Sequence, residues 1–258
     1  MILYTDIGHD PDDAIALAFL CEHRVSFESV GIFPGYQKQA SIVMQITGEL
    51  WGVGEPYVFR NSEPSKEKED AYNPGKHSTI GEEYFRHLVF PIEDSIVTDK
   101  ALIIGPAKGL GKRLECDEMY FQGGYSPNSI EPLEKFRGIT EVQSYNPSGA
   151  REDFKELLAS DKIKRKYYIG KNVCHGFTKA TLEKIWKPRE STRIMHFWNN
   201  LEPSKAMHDV LAAILFMNKD FGIWERAKPV FNGLKMTTVP TDEEIYSLIG
   251  INKDLLKV

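Results

Sequence analysis

Four aspartates, Asp6, Asp10, Asp12 and Asp13, fall within eight positions of the segment YTDIGHDPDDAIALAFL, residues 4–20. Carboxylates crowded in this way repel one another and raise each other's pKa values. Two chemistries account for acids in front of an apolar helical run. An aspartate at a helix start accepts hydrogen bonds from free backbone N–H groups and suits the positive end of the helix dipole. That explains one of the four, or two, but not the whole turn. Hard cations such as calcium or magnesium take clustered carboxylates as ligands and would remove the repulsion. The run is not an EF-hand, because it lacks that loop's glycine placement and terminal glutamate.

A second acid stands in the same setting near the other end. In SKAMHDVLAAILFM, residues 204–217, the pair His208–Asp209 precedes another apolar helical run. Taken singly, Asp209 reads as an acid of a helix first turn and His208 as a hydrogen-bonded histidine.

The elements that would position these residues follow an alternation. Short runs rich in β-branched and aromatic residues recur: MILYT, SVGIF, PYVF, ALIIG, EMYFQGG and KYYIG. Helical stretches lie among them at 39–50, 149–159 and 178–186, and further helices are expected at 207–217 and 241–249. This pattern predicts a doubly wound α/β fold, a mostly parallel central sheet with helices on both faces. Ligands of such sheets bind beyond the carboxyl ends of the strands, which is where the aspartate cluster falls. No repeat appears. The polar stretch 60–83 reads as a long surface loop, so one domain over 1–258 is expected.

Composition bounds the function. The chain has 258 residues, 41% of them apolar and 27% charged, with a formal net charge of −5. Its pI is near 5.9. A mildly acidic chain is a poor candidate for gripping nucleic-acid phosphates. The three cysteines, Cys21, Cys116 and Cys174, are far apart and unpaired in pattern. They read as reduced thiols of a cytoplasmic protein. Residues 1–8 do not form a secretory signal, and no apolar run is long enough to cross a bilayer. Phe197 and Trp198 of HFWNN read as core residues.

The first motif, with Asp6, Gly8, Asp12, Asp13, Ala14 and Leu17, resembles a longer variant of the N-terminal motif of the inosine–uridine-preferring nucleoside hydrolase family. His208–Asp209 resembles that family's C-terminal motif in kind and position. Between them, IIGPAKGL is similar to its Gly-Pro-Leu-Thr-Asn-Leu segment, EPYVFRNSEP to its Pro-Val strand and loop, and RGITEVQSYNPSG to the stretch that carries its sugar contacts. The order holds along nearly the whole chain. The resemblance implies a calcium ion held by Asp6, Asp13, Asp209 and the backbone carbonyl of Lys108. It implies that Asp6 also acts as general base on water, that Asp12 and Asn146 bind the ribose, and that His208 stands by the leaving base as its proton donor. His77 falls in a loop that closes over substrate in the family, although an ordinary loop histidine is the blander reading. The resemblance also implies a nucleoside or other small N-ribosyl substrate, no membrane partner, and a homodimer or homotetramer.

Several family positions are changed. Ser144 stands where a sugar-binding glutamate is expected, and Gly138 where a sugar-binding asparagine is expected. GIFPGYQKQ lacks the family's Ala-Gly-Asn, and Tyr36 of that segment is placed at the pocket rim, to stack on a base or simply to pack. His9 and Asp10 lie in the extra part of the first loop and have no assigned role. The expected activity is calcium-dependent hydrolysis of an N-ribosidic bond through an oxocarbenium-like state. The alternatives are a metal- and sugar-binding homologue without turnover, or a hydrolase of a different glycoside or a nucleotide. Phosphoryl transfer is disfavoured by the lack of a Walker-type loop.

Overall fold

A computed structural model describes residues 1–8, 10–51, 56–61, 64–72, 89–190, 193–242 and 245–256. His9 and His77 lie outside the described residues. Eleven strands form one sheet: β1 (Ile2–Thr5), β2 (Ser29–Ile32), β3 (Tyr57–Arg60), β4 (Phe90–Pro91), β5 (Ile96–Ile103), β6 (Leu114–Gln122), β7 (Val142–Gln143), β8 (Ile163–Ile169), β9 (Gly222–Asn232), β10 (Lys235–Pro240) and β11 (Ile245–Ile251). Their spatial order is β4-β3-β2-β1-β5-β6-β8-β11-β9-β10-β7. Every pair from β4 across to β11 is parallel, and β9, β10 and β7 extend that edge in antiparallel fashion. The expected doubly wound, mostly parallel sheet is therefore present.

The inner strands alternate between two cores. Leu3, Val30, Leu102 and Tyr120 point to one face. Ile2, Tyr4, Ile103 and Phe121 point to the other. A strand with both faces covered reads as a continuous apolar run, which is why MILYT and ALII are recognisable as strands. Nine helices are described. They are α1 (Pro11–Glu22), α2 (Gln37–Trp51), α3 (Lys66–Ala71), α4 (Tyr145–Gly149), α5 (Arg151–Ala159), α6 (Lys171–Cys174), α7 (Lys179–Leu182), α8 (Arg193–Asn200) and α9 (His208–Met217). Helix α1 packs against α2, α8 and α9. It is buried almost all the way round, from Pro11 to Cys21, as a helix apolar on every side beyond its first turn must be. Phe197 and Trp198 lie in the same core, and all three cysteines are free and buried. No helix among the described residues is long and apolar enough to cross a membrane.

One expected element is wrong. The helix placed at 241–249 is strand β11, paired with β8 on one side and β9 on the other. Its sequence IYSLIGI alternates well enough for a pleated strand, and a slot between two strands overrides the weak helical spacing.

The sheet places the site. The chain steps outward from β1 through β2 and β3 to β4, then returns to lay β5 on the other side of β1. This reversal is a topological switch point, and the crevice beyond the carboxyl ends of β1 and β5 is the site that such sheets offer to ligands. Gln39, fully buried, braces the loops there. Its Oε1 accepts from the backbone N–H groups of Gly35 and Tyr36, both at 3.0 Å. Its Nε2 donates to the carbonyls of Ile7 at 2.8 Å and Phe33 at 2.6 Å. Gln39→Ala would strand four backbone groups. An expected loss of about 2–3 kcal/mol follows, read as a lower urea midpoint with an unchanged slope.

Candidate functional site

Asp12 and Asp13 occupy the first turn of α1, behind Pro11 at its first position. Proline suits that place because its missing N–H would have no partner in the helix. Asp209 occupies the first turn of α9. Since α1 and α9 pack together, residues almost two hundred positions apart meet: carboxylate oxygens of Asp12, Asp13 and Asp209 lie within 4.8 Å of one another. The three residues are only 2%, 4% and 6% exposed. Asp13 Oδ1 accepts from the Thr5 hydroxyl, which in turn accepts from the Ile7 N–H. Asp12 Oδ2 accepts from the backbone N–H of His208 at 3.2 Å, so it caps α9 rather than its own helix.

Asp6 leaves the end of β1 half-buried. Gly105, just past β5, lies so close that a Cβ there would stand 2.5 Å from the Asp6 nitrogen and 2.8 Å from its carboxylate. Only glycine lets the two strand ends approach in this way. Gly8, at φ +123°, supplies the turn that leads to α1. Asp10 is on the rim, paired with the Lys205 ammonium at 2.6 Å.

These groups line a cavity of about 430 Å³, together with His208 and the residues beyond β5, β6 and β8. The size suits a small molecule. Asn146 and Ser144, both expected here, line it and are buried. The Asn146 amide Nδ2 donates to the Ile104 carbonyl and to Gln122 Oε1, both at 2.8 Å. It therefore fixes the cavity floor. Gly138 does not line the cavity, and Tyr36 stacks on Tyr72 with ring centres 4.1 Å apart.

Lys108 is a correction. Its carbonyl accepts from the Tyr4 hydroxyl at 2.7 Å, its ammonium pairs with Asp153 at 3.6 Å, and it lines a different surface hollow. The turn after Gly105 and Pro106 carries it behind β1. The residue of this segment at the acidic cavity is Ile104, directly after β5. Sequence reasoning also missed Gln122, Tyr145 and Lys171. Gln122 ends β6, and Lys171 is the second residue after β8. Reading the last strand residue and the next two would have found them.

Burial dominates the titration of the cluster. It pushes Asp6 and Asp12 up to about 7, with the Asp10 charge adding to each. Burial and then the neighbouring carboxylates hold Asp13 and Asp209 well above the usual aspartate range. His208 moves the other way. Burial, then His175 and nearby lysines, push it down to about 3, and its Nε2 has no hydrogen-bond partner among the described residues. The imidazole is neutral in this setting. Buried carboxylates with this mutual repulsion form a hard-oxygen donor set, which fits a divalent cation such as calcium.

No protein-family model matches the sequence, and no curated protein does. Solved structures do. An inosine-uridine preferring nucleoside hydrolase from Bacillus anthracis aligns with 99% of this chain and 96% of its own, at 14% identity and a TM-score of 0.67. The plant nucleoside hydrolase PpNRh1 aligns over 99% and 95%, at 13% identity and 0.64. A purine-preferring ribonucleoside hydrolase from Gardnerella vaginalis aligns over 99% and 94%, at 13% identity and 0.61. Over virtually its entire length, this chain is built on the α/β fold of the nucleoside hydrolases.

Proposed function

We propose that this chain hydrolyses the N-glycosidic bond of a nucleoside or related N-ribosyl compound, releasing base and ribose, with a calcium ion among its carboxylates. The observation that supports this most is the meeting of Asp12, Asp13 and Asp209 at the floor of a nucleoside-sized cavity at the switch point of this fold. Asp13 and Asp209 would hold the ion with Asp6, and Ile104 replaces Lys108 as the candidate carbonyl donor. When bound, the cation supplies charge that orients a water and lowers its pKa.

The chain's own residues do the rest. Asp6 faces the cavity from the end of β1 and takes the proton of the attacking water. Asp12 and the Asn146 amide oxygen accept from ribose hydroxyls. The surrounding carboxylates stabilise the positive charge that develops on the sugar as the bond to the base breaks. His208 offers a neutral imidazole to the leaving base, as a hydrogen-bond donor rather than as an imidazolium acid.

The test is chromatography of free base from a panel of ribo- and deoxyribonucleosides, with calcium and again with a chelator. The expected result is base release that falls to background on chelation. No release from any member at high protein concentration would overturn the reading. Ser144 in place of an acidic sugar ligand favours the second reading, binding without turnover, in which calorimetry shows nucleoside binding while no base appears.

A further inference from the structure

One wall of the cavity carries charge that the acidic floor does not use. Lys171 lines the cavity from the first position of α6. His175 stands one turn on, its N–H bonded to the Lys171 carbonyl at 3.0 Å, so both side chains leave the same side of that short helix. The Lys135 ammonium donates to His175 Nδ1 at 2.8 Å, which leaves the His175 proton on Nε2. The His175 ring meets the His208 ring edge to face at 4.5 Å. Among the described residues, neither Lys135 nor Lys171 has a carboxylate within ion-pair distance, whereas Lys205 is already paired with Asp10. Burial and then the Lys171 charge hold Lys135 below its ordinary pKa. Lys171 in the cavity wall, with Lys135 and the His175 imidazole behind it against His208, matches an anion with several acceptor oxygens.

We infer that this wall is an anion seat and that the preferred ligand is a phosphorylated N-ribosyl compound, a nucleoside monophosphate, with its sugar over the carboxylates and its phosphate on Lys171, backed by Lys135 and His175. The inference rests on the N-ribosyl reading of the cavity and adds the substrate class. A phosphate dianion suits two ammonium groups better than a single carboxylate does.

The test is calorimetry on the full chain with calcium present, using inosine, inosine 5′-monophosphate and inorganic phosphate as ligands. The expected result is that the monophosphate binds about 10- to 100-fold more tightly than inosine. Inorganic phosphate is expected to compete with it, and the preference to shrink as salt rises. Lys171→Gln is expected to reduce the monophosphate-to-nucleoside affinity ratio by about tenfold, and Lys135→Gln, at an exposed position, to reduce it by less. Calcium titration of the same variants reports whether the acidic floor is intact. Equal or tighter binding of inosine overturns the seat, as does a preference that survives both substitutions. The two readings fail separately. Base release from both ligands at equal efficiency leaves the hydrolase and removes the seat. A lysine-dependent preference without base release keeps the seat and removes the hydrolase.

Discussion

Asp13→Ala and Asp209→Ala are each expected to weaken calcium binding by about 100-fold or more and to bring base release to background. Loss of a group that merely orients a metal ligand typically costs 10- to 100-fold in affinity, and these two would be ligands themselves. They come from the first turns of α1 and α9, and neither has a substitute: Asp6 and Asp12 already have places of their own in the proposed site, and Asp10 is at the rim and committed to Lys205. Asp209→Asn keeps the shape and removes the charge. It is expected to lose the cation as the alanine variant does, because an amide is a much weaker partner for a hard ion in a buried site. Calorimetry reads the affinity and chromatography reads the free base. Undiminished calcium binding in both alanine variants would remove the shared site.

The metal-free protein is expected to lose stability as pH rises from about 4 to about 7. Asp6 and Asp12 titrate near 7 in the folded chain, with Asp13 and Asp209 well above the usual range. Each therefore binds its proton more tightly folded than unfolded. Where the folded state holds more protons, the free energy of unfolding falls as pH rises. His208 and His175 pull the other way. Burial heads the causes that lower them, to about 3 and about 4, so the unfolded chain holds the extra protons until pH passes the ordinary histidine value near 6.5. Four carboxylates outweigh two imidazoles, and above the histidine range the carboxylates act alone. Calcium at a hundred times its Kd would contribute about 2.7 kcal/mol, about 5–10 °C in thermal midpoint for a chain of this size. Thermal melts across that pH range, with calcium and with chelator, check both parts. A chelated midpoint that does not move between pH 4 and 7, or a midpoint at pH 7 indifferent to calcium, would contradict the burial of unpaired charge described above.

Residues that combine a chemical type with a local pattern were legible in the sequence. The aspartate turn and the His208–Asp209 pair stand out because charge abuts an apolar run, and both reach the cavity. The β1 and α1 stretches were legible for the same reason, since burial on all sides leaves an uninterrupted apolar string. Gln122 and Lys171 were invisible because nothing in their own neighbourhoods marks them: they matter only through the strand ends that carry them. Lys108 misled because the alignment of a short Gly-Pro segment cannot show which carbonyl faces inward; the turn after Pro106 decides that. The C-terminal edge was misread where β11 fills a slot between β8 and β9, a tertiary effect that local spacing does not contain. His208 was recognised as a site residue, yet its charge state depends on lysines and a second histidine that arrive from α6 and beyond.

Because Asp13 and Asp209 lie on opposite sides of most of the polypeptide, a growing chain cannot assemble the proposed ion site while it is being synthesised. Affinity for a cation at these carboxylates would appear only after residue 209 has left the ribosome and α9 has docked on α1. Calcium would then act as a clasp closed last, rewarding the finished molecule and giving nothing to a truncated one.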